Sequence, residues 1–195
     1  NTFVNNAKYD LAIKTYEHGA TLFKDPNQFA YNLGDLYRRK GDTPKMIDAY
    51  LSSLAADPSR LVSIQTLLAR YLSDAEYTEL QTQLYNRLQA DNNADFIELL
   101  AWSFVQRRDF KSALRQYKAL DKRLGEPGQR IYKLAGDAAN ARDYDAAIAA
   151  YEYIIQEKGA QNPFFFDAKR EAMNCRRRKI TEGFDYTVEE LRTLE

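Results

Sequence analysis

Residue types that commonly carry out chemistry are scarce in this chain of 195 residues. His18 is the only histidine and Cys175 the only cysteine, which leaves too few ligands for a paired-histidine or Cys/His zinc site and no spare base for a Ser-His-Asp system. Neither a glycine-rich phosphate loop nor a GxSxG motif occurs. We therefore predict a non-enzymatic protein without catalytic residues, cofactor or metal. His18 is expected at a helix surface or between helices, and Cys175 in the core.

Charge and hydropathy exclude further classes of function. The 28 Lys and Arg residues balance 28 Asp and Glu residues, which argues against a general polyanion-binding surface. RNA binding by helical repeats would need a basic groove, which Asp35, Asp95 and Glu98 oppose. No apolar run approaches the roughly 18 residues of a membrane span. We predict no nucleic-acid partner and no membrane insertion. The cellular compartment stays open, because a removed signal peptide would leave no trace in this sequence.

Three groups of residues are candidates for binding. Trp102, the only tryptophan, is either an exposed aromatic anchor or a residue packed between helices, and both interpretations stay open. The basic run 176–179 either binds an acidic partner or complements the C-terminus of a helix, and the second interpretation is favoured. The aromatic cluster 164–166 is expected to form core, with a docking patch as the minor alternative.

The elements that position these residues follow a repeat. Five equivalent residues stand 34, 34, 33 and 34 residues apart: Tyr9, Thr43, Tyr77, Phe110 and Tyr144. Three residues after each comes a packing residue, and four residues later comes a large one. A period of about 34 residues indicates an array of helix pairs.

Glycine and proline fall mostly where turns are expected, and between them lie helical patterns of about 12–16 residues. The clearest unit is 27–60, in which GDTP forms a turn and Asp42 or Thr43 is placed to cap the next helix. Strand-like alternation is absent from the sequence. We predict an all-α chain of about ten to twelve helices in antiparallel pairs.

We predict a single solenoid over residues 1–195, divided into a partial unit 1–26, units 27–60, 61–93, 94–127 and 128–161, and a partial capping unit 162–195. In the last unit, Thr187 and Glu190 have the spacing of a capping box for a further helix. That helix reaches Glu195 without a cap. This motivates an alternative to the scaffold hypothesis, in which the chain is an accessory module of a longer protein whose activity lies beyond Glu195.

The stretches NLGDLYRRKGD (32–42), RRDFKSALRQYKAL (107–120) and ARDYDAAIAAYEYII (141–155) resemble the tetratricopeptide repeat family. This resemblance implies a right-handed superhelix whose first helices line a concave groove, and a protein-interaction scaffold. The unit 61–93 departs from the pattern, with Leu68 and Leu80 where small residues are usual. The residues expected to be largely buried are Leu33, Tyr37, Leu67, Leu100, Phe104, Ala113, Leu134, Ala147 and Tyr151.

Side chains that point away from the packing residues of each first helix are expected to line the groove. We call the following eight residues the first-helix stripe: Tyr31, Asp35, Arg38, Gln65, Glu98, Trp102, Gln106 and Tyr132. We predict that this stripe binds a protein or peptide. Some relatives hold chaperone C-termini with a Lys/Asn/Arg clamp. Here Asp35 stands where Asn is wanted and is expected to repel a peptide carboxylate, which argues against that partner.

Overall fold

A computed structural model describes residues 8–182 together with Thr187, Val188 and Arg192. Within these residues the chain forms ten α-helices and no β-strand, which confirms the all-α prediction. The helices are α1 Tyr9–Phe23, α2 Ala30–Lys40, α3 Thr43–Ala56, α4 Leu61–Tyr71, α5 Asp74–Ala90, α6 Ala94–Gln106, α7 Phe110–Leu124, α8 Gln129–Asn140, α9 Tyr144–Tyr153 and α10 Phe165–Thr181. A 3₁₀ turn, Pro58–Arg60, precedes α4, and a π turn, Ile154–Lys158, follows α9. Glu190, part of the expected capping box, lies outside the described residues.

Aspartates begin three of the second helices in the same way. The carboxylates of Asp42, Asp109 and Asp143 accept hydrogen bonds from backbone N–H groups three residues on, at 3.3, 3.0 and 3.1 Å. Each bond satisfies one of the N–H groups that a helix start leaves unpaired. The cap of α3 is therefore Asp42 rather than Thr43. The recurrence of this cap marks the repeat as clearly as the packing residues do.

The chain divides into two compact units, Asn1–Leu99 and Leu100–Glu195. Unit 1 has a core of large aliphatic side chains from α3 to α5, among them Ile47, Leu51, Leu54, Leu68, Leu80 and Leu84, each with no exposed surface. Unit 2 has a core richer in alanine, with Ala135, Ala147, Ala150, Ala168 and Ala172 fully buried. The single solenoid over the whole chain stays a prediction.

Five of the nine expected core residues are buried: Leu100, Ala113, Leu134, Ala147 and Tyr151. The prediction is wrong for Leu33, Tyr37, Leu67 and Phe104, which are only partly buried. Leu36 and Leu68, at 3% and 0% exposed, take the inward positions of α2 and α4 instead. Tyr37 keeps its hydroxyl at the surface, where it donates to the Glu17 carboxylate at 3.1 Å. Cys175 is buried, as predicted, and His18 is exposed, which is the first of its two predicted environments.

The two units contain corresponding triplets of helices. Helices α1 and α7 have the same length and start 101 residues apart, and α3 and α9 also start 101 residues apart. Both α1 and α7 end at a residue with left-handed backbone, Lys24 at φ 55° and Gly125 at φ 64°. This offset assigns to each residue of α1–α3 an equivalent in unit 2.

Candidate protein-binding site

Two first helices of unit 1, α2 and α4, are joined near both of their ends by arginine–tyrosine contacts. At the C-terminal ends, the Arg38 guanidinium lies 4.3 Å from the centre of the Tyr71 ring. At the N-terminal ends, the Arg60 guanidinium lies 5.4 Å from the centre of the Tyr31 ring. A guanidinium cation is attracted electrostatically to the face of an aromatic ring at such distances. The two contacts create a surface along α2 and α4 with exposed aromatic edges and cationic groups at both ends.

Asp35 stands between these two contacts on α2, and arginines neutralise it. Its carboxylate pairs with Arg38 at 2.5 Å and with Arg39 at 2.8 Å. Partial burial alone would raise the pKa of Asp35, but the hydrogen bonds from Arg38 and Arg39 outweigh burial and hold that pKa below its ordinary value. The expectation that Asp35 repels a carboxylate therefore needs correction, because its charge is already compensated.

The Tyr31 side chain packs against Tyr50 of α3. The two rings lie 5.7 Å apart at an angle of 56°. Tyr50 is 1% exposed, and its hydroxyl is buried with no hydrogen-bond partner among the described residues. Burial raises the pKa of Tyr50 to about 12. Gly34 makes this arrangement possible, because a Cβ atom at that position would lie 2.5 Å from the Tyr50 ring.

All eight residues of the first-helix stripe keep some exposed surface, and Gln106 keeps the most. The structure brings Tyr31, Asp35 and Arg38 together on α2. Glu98, Trp102 and Gln106 follow one another at four-residue spacing on α6 and so share a face of that helix. Trp102 is half-buried, which lies between its two predicted environments. One groove that joins these groups remains a prediction.

Tyr132 lies in different surroundings in unit 2. Its ring contacts Tyr151 edge-on at 5.5 Å and stacks on Phe164 at 5.2 Å. Phe164 is thus half-buried against the core, whereas Phe166 of the same aromatic cluster is 74% exposed. The prediction that the cluster 164–166 forms core is therefore wrong for Phe166.

The sequence interpretation missed Arg60 and Tyr71, although both contact stripe residues. A signal was available, since Tyr71 follows Arg38 by 33 residues, nearly one repeat. Residues one repeat apart lie on adjacent first helices. A search for cation–aromatic pairs at that spacing would have found this contact.

The basic run 176–179 is largely engaged in ion pairs. Arg176 pairs with Glu152 at 2.6 Å, Arg178 with Glu182 at 2.8 Å, and Lys179 with Asp145. Arg176 and Lys179 thus fasten α10 to α9, whereas the pair of Arg178 with Glu182 lies at the end of α10 itself. This arrangement agrees with the favoured structural interpretation of the run, although through ion pairs rather than free solvation.

The described residues hold no group of three or more His, Cys, Asp or Glu side chains arranged to bind a metal ion. None of the described helices combines the length and the apolar character that crossing a membrane requires.

A sequence model of the tetratricopeptide repeat family matches residues 1–60 and 98–163, more than half of the chain. The chain belongs to the tetratricopeptide repeat family. The two matched stretches contain α1–α3 and α7–α9, the helix triplets that correspond in structure. A search of the curated proteins gives no significant match. Tetratricopeptide repeats are generally protein–protein interaction modules and typically non-enzymatic scaffolds.

Proposed function

We propose that this chain is a non-enzymatic scaffold that binds a peptide or a partner domain along the first-helix stripe. The observation that supports this most is the α2–α4 surface, where Arg38–Tyr71 and Arg60–Tyr31 hold two first helices together. A surface whose polar groups are already held in place loses little side-chain freedom when a partner binds.

The residue types of this surface suit protein recognition. Tyrosine and arginine are enriched among residues that contribute most to binding energy, because they combine apolar area with hydrogen-bonding groups. Tyr31 and Tyr71 would supply contact area. The compensated cluster of Asp35, Arg38 and Arg39 would set specificity and orientation more than affinity. Trp102 adds apolar area on α6.

Site-specific photo-crosslinking tests the assignment in the full chain. A benzophenone amino acid replaces Gln65, a stripe residue on α4, and in a matched control it replaces Asn86, an exposed residue on α5. We expect a discrete crosslinked protein from a cell extract at position 65 and none at position 86. Equal products at both positions, or none at position 65, would contradict the proposal.

A double variant then tests the energetic contribution. Trp102→Ala with Arg38→Glu should weaken binding of the identified partner at least about tenfold, measured by calorimetry. Circular dichroism of the variant checks that the helices are retained. If the variant folds normally and binds as tightly as the parent chain, the first-helix stripe is the wrong surface.

A further inference from the structure

A cavity of about 420 Å³ opens beside the C-terminal end of α1 in unit 1. Its walls include the apolar residues Ala20, Pro26 and Leu33, and charged residues Glu17, Lys24 and Asp25 also line it. The neighbouring Leu22 and Phe23 at the end of α1 are 70% and 66% exposed. The cavity thus combines apolar walls with two carboxylates and one ammonium group.

The equivalent junction in unit 2 is filled from within the chain. Asp121, 101 residues after Ala20, is 2% exposed near the end of α7. Its carboxylate pairs with the Lys158 ammonium at 2.6 Å and accepts a hydrogen bond from the Tyr153 hydroxyl at 2.8 Å. Lys158 also donates to the backbone carbonyl of Glu126 at 2.6 Å. The Tyr153 ring at the end of α9 and Lys158 in the π turn after α9 therefore close this junction.

Unit 1 has no such side chains at the equivalent positions. Ser52 and Asp57 stand where unit 2 has Tyr153 and Lys158. The Ser52 hydroxyl accepts a hydrogen bond from Arg87 at 2.9 Å, and Asp57 is engaged with Ser59 and Arg60 in its own turn. The junction of α1 and α2 thus has the same helix arrangement as the junction in unit 2. It lacks the aromatic ring and the lysine that fill the junction in unit 2.

We infer that this cavity docks a helical segment of a partner protein that carries an aromatic side chain and, one turn later, a lysine. The aromatic ring would occupy the apolar walls, as Tyr153 occupies the junction in unit 2. The ammonium group would meet the Glu17 and Asp25 carboxylates, which outnumber Lys24 at the cavity. Burial of an aromatic ring against these walls lowers the free energy in proportion to the apolar area removed from water. The carboxylates favour a cationic group beside the ring.

The probe for this inference is a synthetic peptide of residues 149–161, AAYEYIIQEKGAQ, which carries the side chains that close the junction in unit 2. Amide chemical shifts of the full, isotope-labelled chain report where it binds. We expect saturable shifts at Ala20, Thr21 and Leu33. A control peptide with Tyr153→Ala and Lys158→Glu should bind at least about tenfold more weakly. Equal binding of both peptides, shifts confined to α7 and α8, or no shifts at millimolar peptide would overturn the inference.

Two matched variants of α1 test the location. Thr21 and Thr15 are both exposed, and each hydroxyl donates to the carbonyl four residues earlier, but only Thr21 lines the cavity. Thr21→Trp should obstruct the cavity and abolish the shifts, whereas Thr15→Trp should leave them intact. Trp102→Ala should also leave them intact, which separates this surface from the first-helix stripe. Peptide binding that survives Thr21→Trp would place the peptide elsewhere.

Discussion

Helices α1–α3 in unit 1 and α7–α9 in unit 2 correspond at an offset of 101 residues, and each triplet contains a tyrosine pair at equivalent positions. Tyr31 and Tyr50 are 5.7 Å apart, and Tyr132 and Tyr151 are 5.5 Å apart. Their surroundings differ. The positions of Asp35 and Arg38 in unit 1 hold Gly136 and Ala139 in unit 2, and the partner of the first tyrosine is Arg60 in one unit and Phe164 in the other.

A second difference lies where α1 and α7 end. The first junction is an open cavity, and the second is closed by the buried group of Asp121, Tyr153 and Lys158. The helix frame is the same in both places. The packing positions of a repeat therefore determine how the helices are arranged. Positions outside that pattern determine whether a surface is polar or apolar, and whether a junction is open or closed.

The largest effect is expected where the junction in unit 2 is closed. Lys158→Met leaves the Asp121 carboxylate buried without its cation and should lower the free energy of unfolding by about 3–5 kcal/mol, measured by urea denaturation. The matched control is Lys40→Met, which removes a cation from the exposed pair with Asp10. That control should have no measurable effect, since exposed ion pairs contribute little. A cost for Lys158→Met as small as that of the control would show that Asp121 is not dependent on this partner.

Substitution by alanine should change the stability in opposite directions at Gly34 and Gly136, which stand one position apart in the repeat. At Gly34 a Cβ atom would lie 2.5 Å from the Tyr50 ring, so Gly34→Ala should destabilise the chain by about 1–3 kcal/mol. At Gly136 the nearest contact of a Cβ atom is the Tyr151 hydroxyl at 4.0 Å, so Gly136→Ala should stabilise α8 by up to about 1 kcal/mol. Thermal melting of the two variants decides this. A melting temperature of Gly34→Ala that equals or exceeds that of the parent chain would contradict the close approach in unit 1, and a lower one for Gly136→Ala would contradict the open space at that position.

These glycines also show how far sequence reasoning reaches. Gly34 lies within the stretch 32–42 that resembles the repeat family, whose pattern requires a small side chain at this position, and the structure shows the close approach to the Tyr50 ring. The repeat pattern likewise located the helices and the buried positions of Leu100 and Leu134. Pattern reasoning failed by one position or one turn at Leu67 and Leu33, because two adjacent leucines, or leucines three apart, satisfy the same apolar periodicity.

The candidate site was less accessible to sequence reasoning. The exposure of the first-helix stripe followed from helix geometry, but Asp35 was judged as an isolated charge. Its pairing with Arg38 and Arg39 depends on side-chain conformations that spacing alone does not fix. The cavity at Ala20 had no sequence signal of its own. Its significance follows only from the comparison with the filled junction at Asp121, because the groups that fill it come from the end of α9 and the π turn after α9.

Two buried tyrosine hydroxyls, one in each unit, sharpen the comparison further. Tyr153→Phe removes a hydrogen bond to the buried Asp121 carboxylate and should cost about 1–3 kcal/mol. Tyr50→Phe removes a buried hydroxyl that has no partner among the described residues, so its effect should be near zero or slightly stabilising. Urea denaturation of both variants provides the measurement. A substantial cost for Tyr50→Phe would reveal a partner for that hydroxyl, for instance a bound water.

A small effect is expected at Asp35, whose equivalent position in unit 2 holds Gly136. Its pairs with Arg38 and Arg39 are partly exposed, so Asp35→Asn should cost only about 0–1 kcal/mol near neutral pH. The sign of the pH dependence follows from the lowered pKa of Asp35. A carboxylate with a lower pKa in the folded state stabilises the fold above its ordinary value of 3.8, and this contribution is lost as the pH falls through the lowered pKa.

The difference in unfolding free energy between the parent chain and Asp35→Asn should therefore persist from neutral pH down to about pH 4 and disappear below it. An Arg38→Met background provides the control, because removal of one arginine should shrink the difference at neutral pH without changing its direction. A difference that stays constant from neutral to strongly acidic pH would mean that the Asp35 carboxylate is not stabilised by its arginines. Unit 1 would then differ from unit 2 in the shape of its surface but not in a compensated charge on it. The basis for specificity along α2 and α4 would have to be sought in Tyr31 and Gln65.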